Sequence, residues 1–474
     1  MTASHLHIRF DRGTLLLRTP DSEGSTLPGV IWDARVSSWR AAAYHYASIL
    51  SDARARGLEI ADDVQARLSC GTVTWKPPPL RSYQEDALRA WRGLGARGLV
   101  ILPTGSGKTR VAIAAMAGAG VSTLVLCPTR ALLEQWEQQL AQWYDGRVGV
   151  VGDGERRVEE VTVMTFESAY RQLDTWGDRF GLLVVDEAHH FAGGLRAEAL
   201  EMCAAPRRLG LTATAPDRGS AGAERLSQLI GPVSCEVGFG ELAGTHLAKL
   251  EMTTLGVGLD AEEEEAYQRL YGRFAELRAA FVRANPGVDW ISCIRGLAST
   301  QAGRSAIAGY HRAVAIAAFP AAKRTLTAAL IERHRRDKTL IFTARTDDAY
   351  TIARAHLVPL ITADTPRAER KDILARFSDG RYRAVVSARV LNEGLDVPDA
   401  NVAILVGGTL GAREHLQRIG RVLRPAPFGG ENRALAYELV TRGTVDDARA
   451  RTTARARHAS GHGRDDAPAR ASFV

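Results

Sequence analysis

Between residues 80 and 237 the chain alternates five continuous apolar runs, "GLVIL", "TLVLC", "VTVMT", "LLVVD" and "RLGLT", with amphipathic stretches. Runs that are apolar at every position suit strands buried on both faces, so this block predicts a parallel sheet covered by helices. A second block of the same kind begins near 320, with "KTLIF", "AVVSA" and "VAILV" as strands, and ends near 448. Between the blocks, "DAEEEEAYQRLYGRFAELRAAFVRA" repeats at helical spacing. Glu262 to Glu265 fall in its first turn, where the helix dipole favours negative charge, and read as capping rather than as metal ligands.

Residues 1 to 75 follow another pattern. "HLHIRF" and "GTLLLR" alternate as short strands around a turn at Asp11–Gly13. "SSWRAAAYHYASILSDARARG" predicts a helix, with Ser37 or Ser38 as its cap and Gly57 near its end. "KPPPL" at 76–80 can continue neither a helix nor a central strand and marks a boundary. From 449 the chain is rich in Arg, Ala and Gly without apolar periodicity and reads as a disordered basic tail. The pattern therefore predicts an α/β protein in five pieces: a small α+β domain at 1–75, a parallel-sheet lobe at 76–240, a helical insert at 241–320, a second lobe at 321–448 and the tail at 449–474.

Composition changes this picture little. A chain of 474 residues with 45% hydrophobic and 24% charged positions is that of an ordinary multidomain globular protein. The net charge of +7 suits a polyanionic partner without requiring one. Five cysteines, at 70, 127, 203, 235 and 293, form no CxxC pair, which argues against a disulfide framework or a cysteine zinc site. The N-terminus has no apolar signal core, and the run "VAIAAMAGAGV" from 111 is too short to span a bilayer. The expected location is cytoplasmic.

The chemistry concentrates at two strand ends. "LPTGSGKTR" at 102–110 follows the first apolar run and precedes a helical stretch, the context a phosphate-binding loop needs. Backbone N–H groups of Thr104, Gly105, Ser106 and Gly107 would approach phosphates, Lys108 would pair with the β- and γ-phosphates, and the Thr109 hydroxyl would reach Mg²⁺. Leu102 stands where the first glycine of the general pattern would be. "LLVVDEAHHF" at 182–191 sets Asp186, Glu187, His189 and His190 side by side, as if for a metal. Neighbouring residues at a strand end face opposite ways, and the HExxH spacing of zinc sites is absent. Beside a phosphate loop, Asp186 suits the Mg²⁺ of ATP, Glu187 the attacking water, and His189 the γ-phosphate, with His190 packing or facing solvent.

These residues resemble the motif series of superfamily 2 helicases. "LRSYQEDAL" resembles the adenine-reading Q motif, "CPTRALLEQW" and "VTVMTFESAY" the strand-contacting motifs, "DEAH" motif II and "LTATAP" motif III. "TLIFTAR", "SARVLNEGLDVPDA" and "QRIGRVLR" resemble motifs IV, V and VI. The wording around motifs II and III, and the N-terminal "LPGVIWDARVSSWRAAAYHYASIL", is most similar to the short archaeal and bacterial XPB helicases.

The resemblance implies two RecA-like lobes closing on ATP, with a damage-recognition-like N-terminal domain and a thumb-like insert. Arg81 and Gln84 would read the adenine, and Asp396 the ribose or motif VI. Gln417 would reach the attacking water or the phosphate, and Arg421 and Arg424 would act as arginine fingers. Thr129, Arg130, Thr165 and Arg345 would contact nucleic acid, while Thr212, Thr214 and Gly394 would couple the two sites. The implied activity is an ATP-dependent 3′→5′ DNA helicase or duplex translocase in repair, sometimes with a nuclease partner. One departure bears on strand opening: where the family carries an Arg-Glu-Asp triplet, this chain has Arg218, Gly219 and Ser220. Alternative readings are a motor subunit of a restriction or phage-defence complex, an ATP-gated binding protein, or a motor on RNA. In the N-terminal domain, Trp32, Trp39, Arg40, Tyr44 and His45 form a candidate DNA-engaging set, with Trp32 and Tyr44 better suited to that domain's core.

Overall fold

A computed structural model describes residues 5–19, 24–65, 74–192, 195–217, 219–242, 249–388, 400–407 and 433–459. The chain divides into two compact units that meet in sequence at Gly238–Phe239. The first unit holds two sheets and the second holds one.

The first sheet has the order β3-β4-β2-β1-β5, from β1 (His5–Asp11), β2 (Thr14–Arg18), β3 (Ile31–Asp33), β4 (Ser38–Ala42) and β5 (Glu59–Asp62). The turn between β1 and β2 needs positive φ at both central residues, and Arg12 at 48° and Gly13 at 78° supply it. The helix expected from Ser37 starts later. Ser38–Ala42 is instead a strand, paired antiparallel to both β2 and β3. Pairing on two sides outweighs the helix preference of its alanines, which is only a few tenths of a kcal/mol per residue. The helix proper is Tyr46–Ala55, and it buries Tyr46, Ile49, Leu50 and Ala53.

The second sheet runs β13-β6-β12-β11-β7-β10-β8-β9. Its strands are β6 (Arg97–Ile101), β7 (Thr123–Cys127), β8 (Val148–Gly152), β9 (Glu155–Arg157), β10 (Val161–Thr165), β11 (Leu182–Val185), β12 (Arg207–Thr212) and β13 (Val233–Glu236). All pairs are parallel except the β8–β9 hairpin. The five apolar runs are thus β6, β7, β10, β11 and β12, and Leu124, Val125, Val163, Leu183 and Val184 are fully buried. The first sheet's domain is fixed onto this lobe. Ala204 lies in the small domain's core, and Tyr44 packs against the lobe's core. Arg208, fully buried, donates to the carbonyls of Ala205, Leu200, Leu229 and Cys203, and burial pulls its pKa down to about 10.

The third sheet, in the second unit, runs β14-β19-β18-β15-β17-β16 and is wholly parallel. Its strands are β14 (Lys249–Val257), β15 (Thr339–Thr343), β16 (Leu360–Ile361), β17 (Ala384–Ala388), β18 (Val402–Leu405) and β19 (Arg433–Thr441). β14 comes from the segment read as purely helical insert. It joins this sheet's edge because a nine-residue ladder with β19 satisfies its backbone. The helical part of the insert comprises Ala261–Ala284, Trp290–Ala298 and Gln301–Ala318, around Phe274, Cys293, Leu297 and Ala306. The stretch Gln301–Arg333 is apolar and long enough by composition to cross a membrane, but it is two helices interrupted at Phe319 and Pro320. The tail read as disordered from 449 is helical to Ala459, continuing a helix begun at Val445. Alanine and arginine are good helix formers, and the Arg451–Asp447 ion pair lies at i,i+4 spacing.

Candidate nucleotide site

In open parallel sheets ligands bind outside the C-terminal ends of the strands, and the phosphate loop and Asp186 lie there. β6 ends at Ile101, and the loop 102–107 leads into helix Lys108–Ala119. Gly105 and Gly107 have φ of 83° and 80°, a region in which side chains other than glycine's are strained. Gly107 also caps the helix, and a Cβ there would come 2.6 Å from Gln84 Nε2. Ser106 Oγ donates to the Pro103 carbonyl at 2.7 Å, and Lys108 Nζ donates to the Leu102 carbonyl at 3.3 Å. Leu102, the departure from the glycine pattern, is fully buried, and its N–H donates to Thr212 O at 3.0 Å. Its side chain packs in the lobe and its backbone joins the phosphate loop to β12. Thr104 and Thr109 sit partly exposed in the loop and the first helical turn.

Asp186 and Glu187 follow β11 directly. The Asp186 carboxylate is nearly buried and takes two neutral donors: Trp136 Nε1–H on Oδ2 at 2.9 Å and the Glu187 N–H on Oδ1 at 3.0 Å. Burial raises its pKa, and the Lys108 charge, the Trp136 bond and the Glu187 N–H push back. Glu187 has φ 49°, a left-handed conformation that costs a residue with a side chain on the order of 1–3 kcal/mol. His189 is buried, with Nδ1 3.1 Å from Thr212 Oγ1 and 3.4 Å from Glu187 Oε2. Thr212 Oγ1 donates to Thr214 O and accepts the Thr214 N–H, both at 3.1 Å. Motif II is thereby joined to motif III through one imidazole. His190 is exposed, with its ring stacked on His189.

Gln84 is buried, and its amide is hydrogen-bonded at both ends. Its Oε1 accepts the Arg81 N–H at 2.9 Å, and its Nε2 donates to Ser106 O at 2.6 Å. Tyr83, which the sequence reading passed over, donates to the same carbonyl at 2.6 Å. Both side chains of "SYQ" therefore brace the phosphate loop. Trp136 was also missed; its signal was a tryptophan two helical turns beyond Thr129, in the helix that starts at the end of the adjacent strand β7.

The nucleic-acid candidates of the first lobe are built as helix caps. Thr129 Oγ1 accepts the Leu132 N–H at 3.3 Å, and Thr165 Oγ1 accepts the Ser168 N–H at 3.2 Å. Thr165 ends β10, and Thr129 lies two residues past the end of its paired neighbour β7. Arg130 is exposed and paired with Asp153 at 2.6 Å. In the second unit, Arg345 stands at the N-cap position of helix Thr346–His356 without a side-chain cap bond and pairs with Asp347 at 3.2 Å. Gly394, Asp396, Gln417, Arg421 and Arg424 lie outside the described residues, as does Arg218. Ser220 caps helix Ala221–Leu229 by accepting the Ala223 N–H at 3.2 Å, and Gly219 has φ 75°. In the small domain, Trp32 is 48% exposed on the edge strand, against its expected place in the core. It packs edge-on against Trp39, its cross-strand partner, with ring centroids 5.2 Å apart. Arg40 is taken up by Asp11 and Asp33 at 3.0 and 2.9 Å.

Among the described residues no group of three or more His, Cys, Asp or Glu side chains is arranged to hold a metal. What the site offers is one buried carboxylate and a hydroxyl, both hard oxygen donors. That set fits a magnesium ion that brings water and phosphate ligands with it.

Fold and site define a helicase of superfamily 2, and comparison with known proteins agrees. Residues 8–64 match the xeroderma pigmentosum group B helicase damage recognition domain, 78–217 the type III restriction enzyme res subunit, and 322–426 the helicase conserved C-terminal domain. The chain is 33% identical over 442 residues to a DNA 3'-5' translocase XPB2 of Sulfurisphaera tokodaii, covering 93% of this chain and 98% of that protein. It is 30% identical to a DNA 3'-5' helicase XPB of Mycobacterium tuberculosis, over 77% of this chain and 61% of that one. The chain belongs to the XPB family of helicases. The Pyrococcus furiosus Hef helicase domain shares the fold, with a TM-score of 0.50 and 18% identity over 79% of this chain and 98% of that one.

Proposed function

We propose that the chain is an ATP-driven motor that moves along DNA with 3′→5′ polarity and serves DNA repair in the cytoplasm. The observation that carries this reading is the set at three adjacent strand ends: Lys108 after β6, Asp186 and Glu187 after β11, and Thr212 on β12, joined by His189. Lys108 binds the β- and γ-phosphates, and Thr109 and Asp186 hold magnesium. Magnesium supplies charge neutralisation on the phosphates. Glu187 takes the proton of the attacking water, and Arg421 and Arg424 stabilise charge on the transferred phosphoryl. The His189–Thr212–Thr214 chain passes the state of the γ-phosphate to the strand-contacting residues Thr129, Arg130 and Thr165. Arg345 adds a contact from the second lobe, Gly394 acts in coupling, and Gln417 and Asp396 act at the nucleotide.

The output favoured here is translocation along duplex rather than strand separation. Two positions of the family's Arg-Glu-Asp triplet are Gly219 and Ser220, and Ser220 is spent on capping a helix. The full-length protein should displace a third strand from a triplex in an ATP-dependent manner while opening a forked duplex poorly. Efficient fork opening without triplex displacement would reverse that assignment. A restriction-type motor rests on a match confined to residues 78–217, whereas the XPB similarity runs nearly end to end. A nuclease partner remains part of the proposal, to be tested by co-purification.

A further inference from the structure

We propose that Trp136 is a positioning residue of the ATPase centre, holding the Asp186 carboxylate in the orientation in which it takes magnesium. This deepens the function proposed above and rests on it for the identity of the ion. Trp136 is 1% exposed and stands two turns into helix Arg130–Trp143. Its indole N–H lies 2.9 Å from Asp186 Oδ2. A buried tryptophan needs an acceptor for its one donor, and a backbone carbonyl is the usual solution. Trp91 of the same lobe shows it, donating to the Arg208 carbonyl at 2.9 Å. Trp136 instead spends its donor on the carboxylate that ends β11.

The chemistry of the donor matters. An indole N–H fixes a carboxylate without neutralising it, because it brings no charge and does not titrate. An ammonium in its place would close the site as an ion pair. Each Asp186 oxygen receives one neutral donor, Trp136 on Oδ2 and the Glu187 N–H on Oδ1 at 3.0 Å. The plane of the carboxylate is thereby set, and each oxygen keeps a lone pair for an ion or its water. Outer partners of this kind orient metal ligands and tune affinity. The same helix starts at Thr129 and Arg130, so the residue that holds Asp186 and the strand-contact candidates share one rigid element.

The test is binding of a fluorescent ATP analogue to the full chain, without DNA, as magnesium is titrated. Trp136→Phe keeps the ring and removes the donor. It should raise half-saturating magnesium about 10- to 100-fold, leave binding in EDTA unchanged and regain turnover at saturating magnesium. Leu140→Ala, a cavity in the buried face of the same helix, should lower the melting temperature without moving the magnesium dependence. An unshifted titration for Trp136→Phe, or an equal shift for Leu140→Ala, overturns the proposal. Should Trp136→Phe not fold, the indole N–H resonances of the unaltered protein decide: one of the eight tryptophans must respond when magnesium is added to the nucleotide complex, and none responding overturns it. If the unaltered protein binds nucleotide with no magnesium dependence, the reading of Asp186 as metal ligand falls first, and this proposal with it.

Discussion

Asp186 in the first unit and Asp446 in the second are both 7% exposed, and they are held in opposite ways. Asp446 Oδ2 accepts from Lys323 Nζ at 2.7 Å and from the Thr441 N–H at 2.9 Å. Lys323, fully buried, also reaches the carbonyls of Ala318 and Val406 at 3.3 and 3.4 Å. This buried carboxylate is met directly by an opposite charge. Among the described residues Asp186 has two neutral donors at hydrogen-bond distance and no direct ion pair; burial raises its pKa, and the Lys108 charge opposes that rise. A buried carboxylate without a direct ion pair is unfavourable unless a cation arrives, whereas a directly paired one is already balanced within the fold.

Substitutions that remove only the charge sharpen the contrast. Asp186→Asn should lower turnover by on the order of 10³-fold and leave the melting temperature little changed, since the charge removed is desolvated and held by no direct ion pair. Lys108→Ala should do the same to turnover, and Glu187→Gln should bind ATP but not hydrolyse it. Alanine at Arg421 or Arg424 should cost about 10³-fold in single-turnover hydrolysis, the scale of arginine-finger loss. Asp446→Asn should behave inversely. It leaves Lys323 unpaired in the core and should cost about 3–5 kcal/mol in denaturant melts, with turnover per folded molecule retained. Equal losses of stability at both aspartates would break the comparison.

The smallest effect is a pH effect. Burial raises the pKa of Asp348, beside Arg345, to about 6. Its folded value lies above the unfolded one, so its contribution is fully present below about pH 4 and is lost as pH rises through about 6. Asp348→Asn should remove that loss, raising stability at pH 7–8 by on the order of 1 kcal/mol once solvent screening is allowed for. Melting temperatures of both proteins across pH 4–8 check it.

The continuous apolar runs made β6, β7, β10, β11 and β12 legible, because strands buried on both faces leave no other pattern. The phosphate loop and Asp186 were legible because glycine, lysine and carboxylate stand at fixed offsets from those runs. β4 was not, because its alanines and arginine carry no alternation strong enough to announce pairing on both sides. β14 was hidden for a related reason: its partner β19 lies far along the chain, and only tertiary pairing makes that stretch a strand. Trp136 and Tyr83 went unnoticed because their roles are defined by what lies across the lobe from them. The docking of the small domain through Tyr44 and Ala204 was invisible likewise. Removing residues 1–75 would uncover part of the first lobe's core, so the truncated chain should melt earlier than the full one.

The central claim, that Lys108 and Asp186 drive a DNA motor, is tested most directly by ATP hydrolysis with and without duplex DNA over a salt series. Duplex DNA should raise the rate, the stimulation should weaken steadily with rising salt as phosphate contacts are screened, and Lys108→Ala should be flat throughout. A rate indifferent to DNA, or one that survives Lys108→Ala, would contradict it.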